Sequence, residues 1–148
     1  SWHFNMIRIL AVLSMIISGF FATIVEKFNQ GLCVFEYIGR NKITYIRDLM
    51  SSSSGDAEMM IVSGYVLIFF GIILYFIKNK IVFVILFILA FLLQLIILNM
   101  IDTLPYKTVL YDSIFQCNNW SVLGWFLMQV ITMVLTVIYL ARNNYADW

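Results

Sequence analysis

The chain has 148 residues, 63% hydrophobic and 11% charged, with a formal net charge of +1. A soluble domain of this size cannot hide so much apolar surface, so lipid must solvate much of it. A near-neutral charge without a basic run gives no basis for nucleic-acid binding. Two cysteines, Cys33 and Cys117, are too few for a disulfide-dense scaffold or a Cys-based zinc site.

The first apolar run covers residues 7–25, with Arg8 at its entrance, where a long stem is expected to snorkel toward headgroups. It lacks a small-x-small cleavage pattern and reads as a retained helix. Ser14, Ser18 and Ala22 lie four residues apart on one stripe. Small residues at that spacing let helices approach closely in lipid, and an intramolecular packing face is favoured over a dimerisation face. Chance occurrence in a helix rich in Ser and Ala is the alternative.

Residues 26–58 form a large loop. Val34–Ile38 and Ile43–Ile46 are rich in aromatic and β-branched residues and flank Gly39-Arg40-Asn41-Lys42, which predicts a β-hairpin. A helical reading of 43–50 is the alternative, since Ile43, Ile46 and Met50 also share a face. Ser51–Ser54 with Gly55 reads as a turn, and Asp56 and Glu58 favour the positive dipole end of the next helix.

The second span covers 59–77, with Gly64 and Gly71 two turns apart and able to admit a close neighbour. Lys78-Asn79-Lys80 is so short that the next span must run antiparallel. That third span, 81–101, contains no charge, Gly or Pro. At about 1.5 Å per residue it crosses the roughly 30 Å hydrocarbon core of a bilayer. Gln94 and Asn99 are expected to hydrogen-bond to a neighbouring helix, because an unpaired amide in hydrocarbon is costly. Residues 102–121 form a second loop, whose Tyr106, Tyr111 and Trp120 suit the headgroup level. The fourth span, 122–141, carries Gly124, Gln129 and Thr132 on its less lipophilic side.

An even number of spans puts both termini on one side, together with Arg8, Lys78, Lys80 and Arg142 against Asp147, a net +3. The two larger loops hold five basic and seven acidic residues, a net −2. The basic residues near the termini are packed into short segments, which points to cytoplasmic termini in a plasma or bacterial inner membrane. Cys33 and Cys117 then share the outer side, where an oxidising compartment permits a disulfide between the loops. Two unpaired thiols are the alternative. Asn119-Trp120-Ser121 is formally a glycosylation sequon but abuts the membrane.

Metalloprotease, hydrolase, phosphate-loop and dinucleotide motifs are absent from the sequence, and the charged residues all fall at span ends or in loops. The chain therefore reads as non-enzymatic and cofactor-free, with neither a metal site nor an intramembrane proton relay.

The plan of short terminus, span, large loop, span, tight turn, span, smaller loop and span resembles the claudin, epithelial membrane protein and channel gamma-subunit superfamily. Gly31-Leu32-Cys33 is similar to the family's Gly-Leu-Trp-x-x-Cys, and Val34–Asp48 has its hairpin character with a similar Asp before the second span. Gly124-Trp125 is similar to its Gly-Trp in the fourth span. The chain departs from the pattern in having no Trp after Leu32 and Ile43 where the second loop cysteine falls, so Cys33 would need Cys117. The resemblance implies adhesion, paracellular pore formation or channel modulation, with recognition by the hairpin 32–46, at Phe35, Tyr37, Arg40 and Tyr45.

The expected fold is an all-α integral membrane protein, a four-transmembrane-helix bundle with a small extracytoplasmic cap containing a β-hairpin. The expected function is contact with another membrane protein or with copies of itself, as an auxiliary or structural subunit. A bacterial defence or toxin-immunity protein is the alternative from a different class. A small oligomeric channel lined by Gln94, Asn99, Gln129 and Thr132 is a third.

Overall fold

The computed structural model describes residues 2–24, 33–35, 43–45, 54–99 and 106–142. Five helices make up nearly all of it: α1 (Trp2–Thr23), α2 (Ser54–Phe76), α3 (Lys80–Leu98), α4 (Tyr106–Phe115) and α5 (Trp120–Arg142). Four of them, all but α4, are long and apolar enough to cross a membrane. By length and composition this is an integral membrane protein built on a helix bundle. Two short strands, β1 (Cys33–Phe35) and β2 (Ile43–Tyr45), pair antiparallel with Cys33 opposite Tyr45 and Phe35 opposite Ile43. Three residues each is shorter than the runs expected for the hairpin. The connection 36–42 lies outside the described residues.

The helix boundaries differ from the expected ones in instructive ways. Helix α2 begins at Ser54, so Ser54 and Gly55 belong to a helix and not to a turn. Asp56 and Glu58 then fall in its first turns, where carboxylates favour the exposed N–H groups. Helix α3 starts after Asn79, whose side-chain oxygen accepts from the Ile81 and Val82 N–H groups at 2.9 and 3.3 Å. The second loop, to which the sequence reading assigned no element, contains α4.

Helix α1 is the shared spine: it packs against α2 on one flank and α5 on the other, and α2 carries α3 in turn. At the α1–α2 seam the backbones nearly touch. A Cβ added at Gly19 would lie 2.5 Å from the Gly64 carbonyl oxygen, and one at Gly64 would lie 2.5 Å from that of Gly19. Only glycine fits at both positions, because the atom in the way is backbone. Gly71 packs against the Ile16 side chain and Gly124 against the Phe21 ring, both on α1. The core between the helices includes Val12, Met15, Leu67, Leu74, Phe83, Val122 and Tyr139.

Arg8 does not snorkel. It is 7% exposed, and its Nη1 donates to the carbonyl oxygens of Leu74, Tyr75 and Ile77 at 3.3, 2.8 and 3.2 Å. Those carbonyls belong to the last turn of α2 and the residue after it; that of Leu74 also accepts from the Ile77 N–H at 3.1 Å, and the helix end supplies no further turn for the other two. A guanidinium supplies several donors and a positive charge at the negative end of the dipole. That arrangement outweighs solvation by headgroups.

Candidate functional site

Two places concentrate polar side chains that composition alone would send to water. One is a tier of hydrogen bonds inside the bundle, and the other is the end where the two loops meet.

Inside, Gln94 of α3 is 1% exposed and faces Gln129 of α5. Gln94 Nε2 donates to Gln129 Oε1 at 3.0 Å, and Gln129 Nε2 donates back to Gln94 Oε1 at 2.8 Å. The Trp125 indole N–H donates to the same Gln94 oxygen at 3.0 Å. One oxygen with two lone pairs thus receives two donors. Toward the α2–α3 turn, Phe83 meets Tyr139 edge to face with ring centroids 5.2 Å apart. Long side chains, not close backbones, join α3 to α5.

On the other flank of α5, hydroxyls do the joining. Ser18 Oγ donates to the Trp125 carbonyl at 2.8 Å. Ser14 Oγ and Thr132 Oγ1 lie 2.7 Å apart. Ser14 also lies within reach of the Ala11 carbonyl, and Thr132 of the Met128 carbonyl. With one proton each, one of the two hydroxyls donates across the seam and the other back to its own helix. Ser14 and Ser18 therefore mark the α1 face toward α5, while Ala22 sits where a Cβ on Gly64 would strike it at 2.9 Å. Asn99, expected to bond to a neighbouring helix, instead closes α3 as its C-cap and is exposed; its backbone N–H donates to Leu95 at 3.0 Å.

A void of about 10 Å³ lies among Met15, Leu67, Phe91, Gln129 and Thr132, at the lower limit of roughly 10–15 Å³ that one water needs. A groove of about 360 Å³ between α3 and α5 is lined by Phe87, Phe91, Met133 and Thr136. The buried Thr136 hydroxyl has no hydrogen-bond partner among the described residues.

At the loop end, Cys33 and Cys117 form a disulfide that joins β1 to the turn between α4 and α5. The Cys33 N–H donates to Ser113 Oγ of α4 at 3.0 Å. Cys33 and Ser113 are both fully buried. After Asn118, which adopts φ 53° as Asn tolerates better than most residues, Asn119 caps α5. Its Oδ1 accepts from the Ser121 and Val122 N–H groups at 3.1 and 3.3 Å. The formal sequon asparagine is thus 1% exposed and serves as a helix cap.

Of the residues singled out for recognition, Phe35 and Tyr45 lie in the paired strands, of which the backbone is described, while Tyr37 and Arg40 lie outside the described residues. Four contributors hold roles that the sequence reading did not give them: Arg8 as a cap, Gly19 as the partner of Gly64, Ser113 as the anchor of β1, and Asn119 as a cap. The signal for Gly19 was present, one residue beyond the Ser14–Ser18 spacing. The signal for Asn119 was an Asn directly before an apolar run.

Comparison of the chain with protein-family models, curated proteins and solved structures finds no match.

Proposed function

We propose that this chain is a non-enzymatic four-span membrane protein that works by contact, as an auxiliary or structural subunit of the claudin-like kind. Its termini would be cytoplasmic, and its loops would form a small outer cap that binds another membrane protein or a second copy. The observation that carries the reading is the tie between β1 and the α4–α5 segment. A disulfide and the bond from Cys33 to Ser113 fix β1 to α4 at one end of the bundle. Order of this kind, imposed on short strands, suits a surface that must keep its shape for a partner.

The polar span residues support the same reading against a channel. Gln94 and Gln129 spend their amides on each other, and Thr132 lies against Ser14. A photo-crosslinking residue placed singly at Phe35, Tyr37, Arg40 and Tyr45, and for contrast at lipid-facing Ile88, tests the proposal in native membranes. The expected outcome is discrete protein adducts from the cap positions and lipid adducts from Ile88. Adducts from the spans alone would transfer the activity to the helices and overturn the cap as the recognition surface.

A further inference from the structure

A second groove, about 490 Å³ in volume, lies between α4 and the first turns of α5. That is within the roughly 300–1,000 Å³ of small-molecule sites. Leu110, Ile114, Leu123, Phe126 and Leu127 supply its apolar lining, and Trp125 adds to the wall. At ten residues, α4 is about 15 Å long, too short to cross a membrane. It connects the end of α3 to the start of α5, so the groove opens where hydrocarbon gives way to headgroups. The helix is two-faced: Ser113 turns to β1, while Leu110, Tyr111 and Ile114 turn to the groove.

Among the described residues that line the groove there is one cation, the exposed Lys107 in the first turn of α4, and no carboxylate. An apolar slot alone would accept any chain. A slot with an ammonium at headgroup level favours a lipid whose phosphate is not neutralised by a cationic headgroup. We infer that the groove between α4 and α5 is a binding site for an anionic phospholipid, with an acyl chain along Leu123, Phe126 and Leu127 and the phosphate on Lys107. The inference is independent of which protein the cap contacts. It also links the lipid to the bundle, because the Trp125 ring in the groove wall holds Gln94 through its N–H.

Trp125 supplies a reporter once Trp2, Trp120 and Trp148, the other three tryptophans of the chain, are replaced by Phe, since bromine on an acyl chain quenches a tryptophan that it touches. The full chain is reconstituted in phosphatidylcholine vesicles with graded brominated phosphatidylglycerol, and in the converse series with brominated phosphatidylcholine. The expected result is an apparent affinity about fivefold higher for the anionic lipid, as one lysine near the surface provides. Lys107→Gln should bring the two lipids to parity, and Lys107→Arg should keep the preference. Equal quenching by both lipids in the unaltered chain would overturn the site. A preference that survives Lys107→Gln would place the headgroup elsewhere and overturn it too.

Discussion

Helices α1 and α3 are both apolar spans, yet they hold their neighbours by opposite means. Over its spanning window α1 is 44% buried, whereas α3, the most apolar of the four spans, is 22% buried. Helix α1 touches α2 backbone to backbone at Gly19 and Gly64 and is tied to α5 by Ser14 and Ser18. Helix α3 reaches α5 through two glutamines, a tryptophan and a ring pair, with a groove left beside them. In lipid, hydrophobicity does not mark the interior, because the solvent is as apolar as leucine. Small and hydroxyl residues mark it instead.

The largest effect should come from widening the α1–α2 seam. Gly19→Val is expected to destabilise the bundle by about 3 kcal/mol, at the upper end for overpacking, since the obstruction is a carbonyl that cannot rotate away. Unfolding by denaturing detergent in mixed micelles would measure it. Next is Arg8→Met, expected to cost about 2 kcal/mol because three carbonyls at and just past the end of α2 lose a charged donor. Hydrogen exchange should show the last turn of α2 opening first.

On the α3 side, Gln94→Leu should cost about 1 kcal/mol, from loss of bonds to Gln129 and Trp125. The double change with Gln129→Leu should recover part of that, since only the indole then lacks a partner. The finest test lies one turn apart on α5. Thr132→Val should destabilise by about 0.6 kcal/mol. Thr136→Val should be neutral or slightly stabilising, because its buried hydroxyl has no partner to lose. Equal costs at the two positions would erase the distinction between the flanks of α5.

Much of this plan is legible in the residues. Spans show themselves because a bilayer demands long apolar runs, and the tight turn at Lys78–Lys80 requires an antiparallel pair. The Ser14–Ser18 stripe and the buried Gln94 are legible because small or amide side chains in hydrocarbon need a neighbour. Arg8 is not, because its partners lie at sequence separations of 66, 67 and 69 and depend on where α2 stops. Helix α4 escapes notice because ten residues give too few repeats, although Lys107, Leu110, Tyr111 and Ile114 follow the three-four spacing. Ser54 and Gly55 join α2 although Gly has a low helix propensity.

The most direct test of α1 as the spine is a single methyl group. In an open helix Gly→Ala stabilises by about 0.8–1 kcal/mol through propensity alone. At Gly19 and Gly64 the added carbon would stand 2.5 Å from the partner helix's carbonyl oxygen, so the sign should reverse. The measurement is the unfolding free energy of Gly19→Ala and Gly64→Ala in mixed micelles. Destabilisation by more than about 1 kcal/mol in each is the predicted result. Stabilisation of either variant would contradict the close approach of α1 and α2.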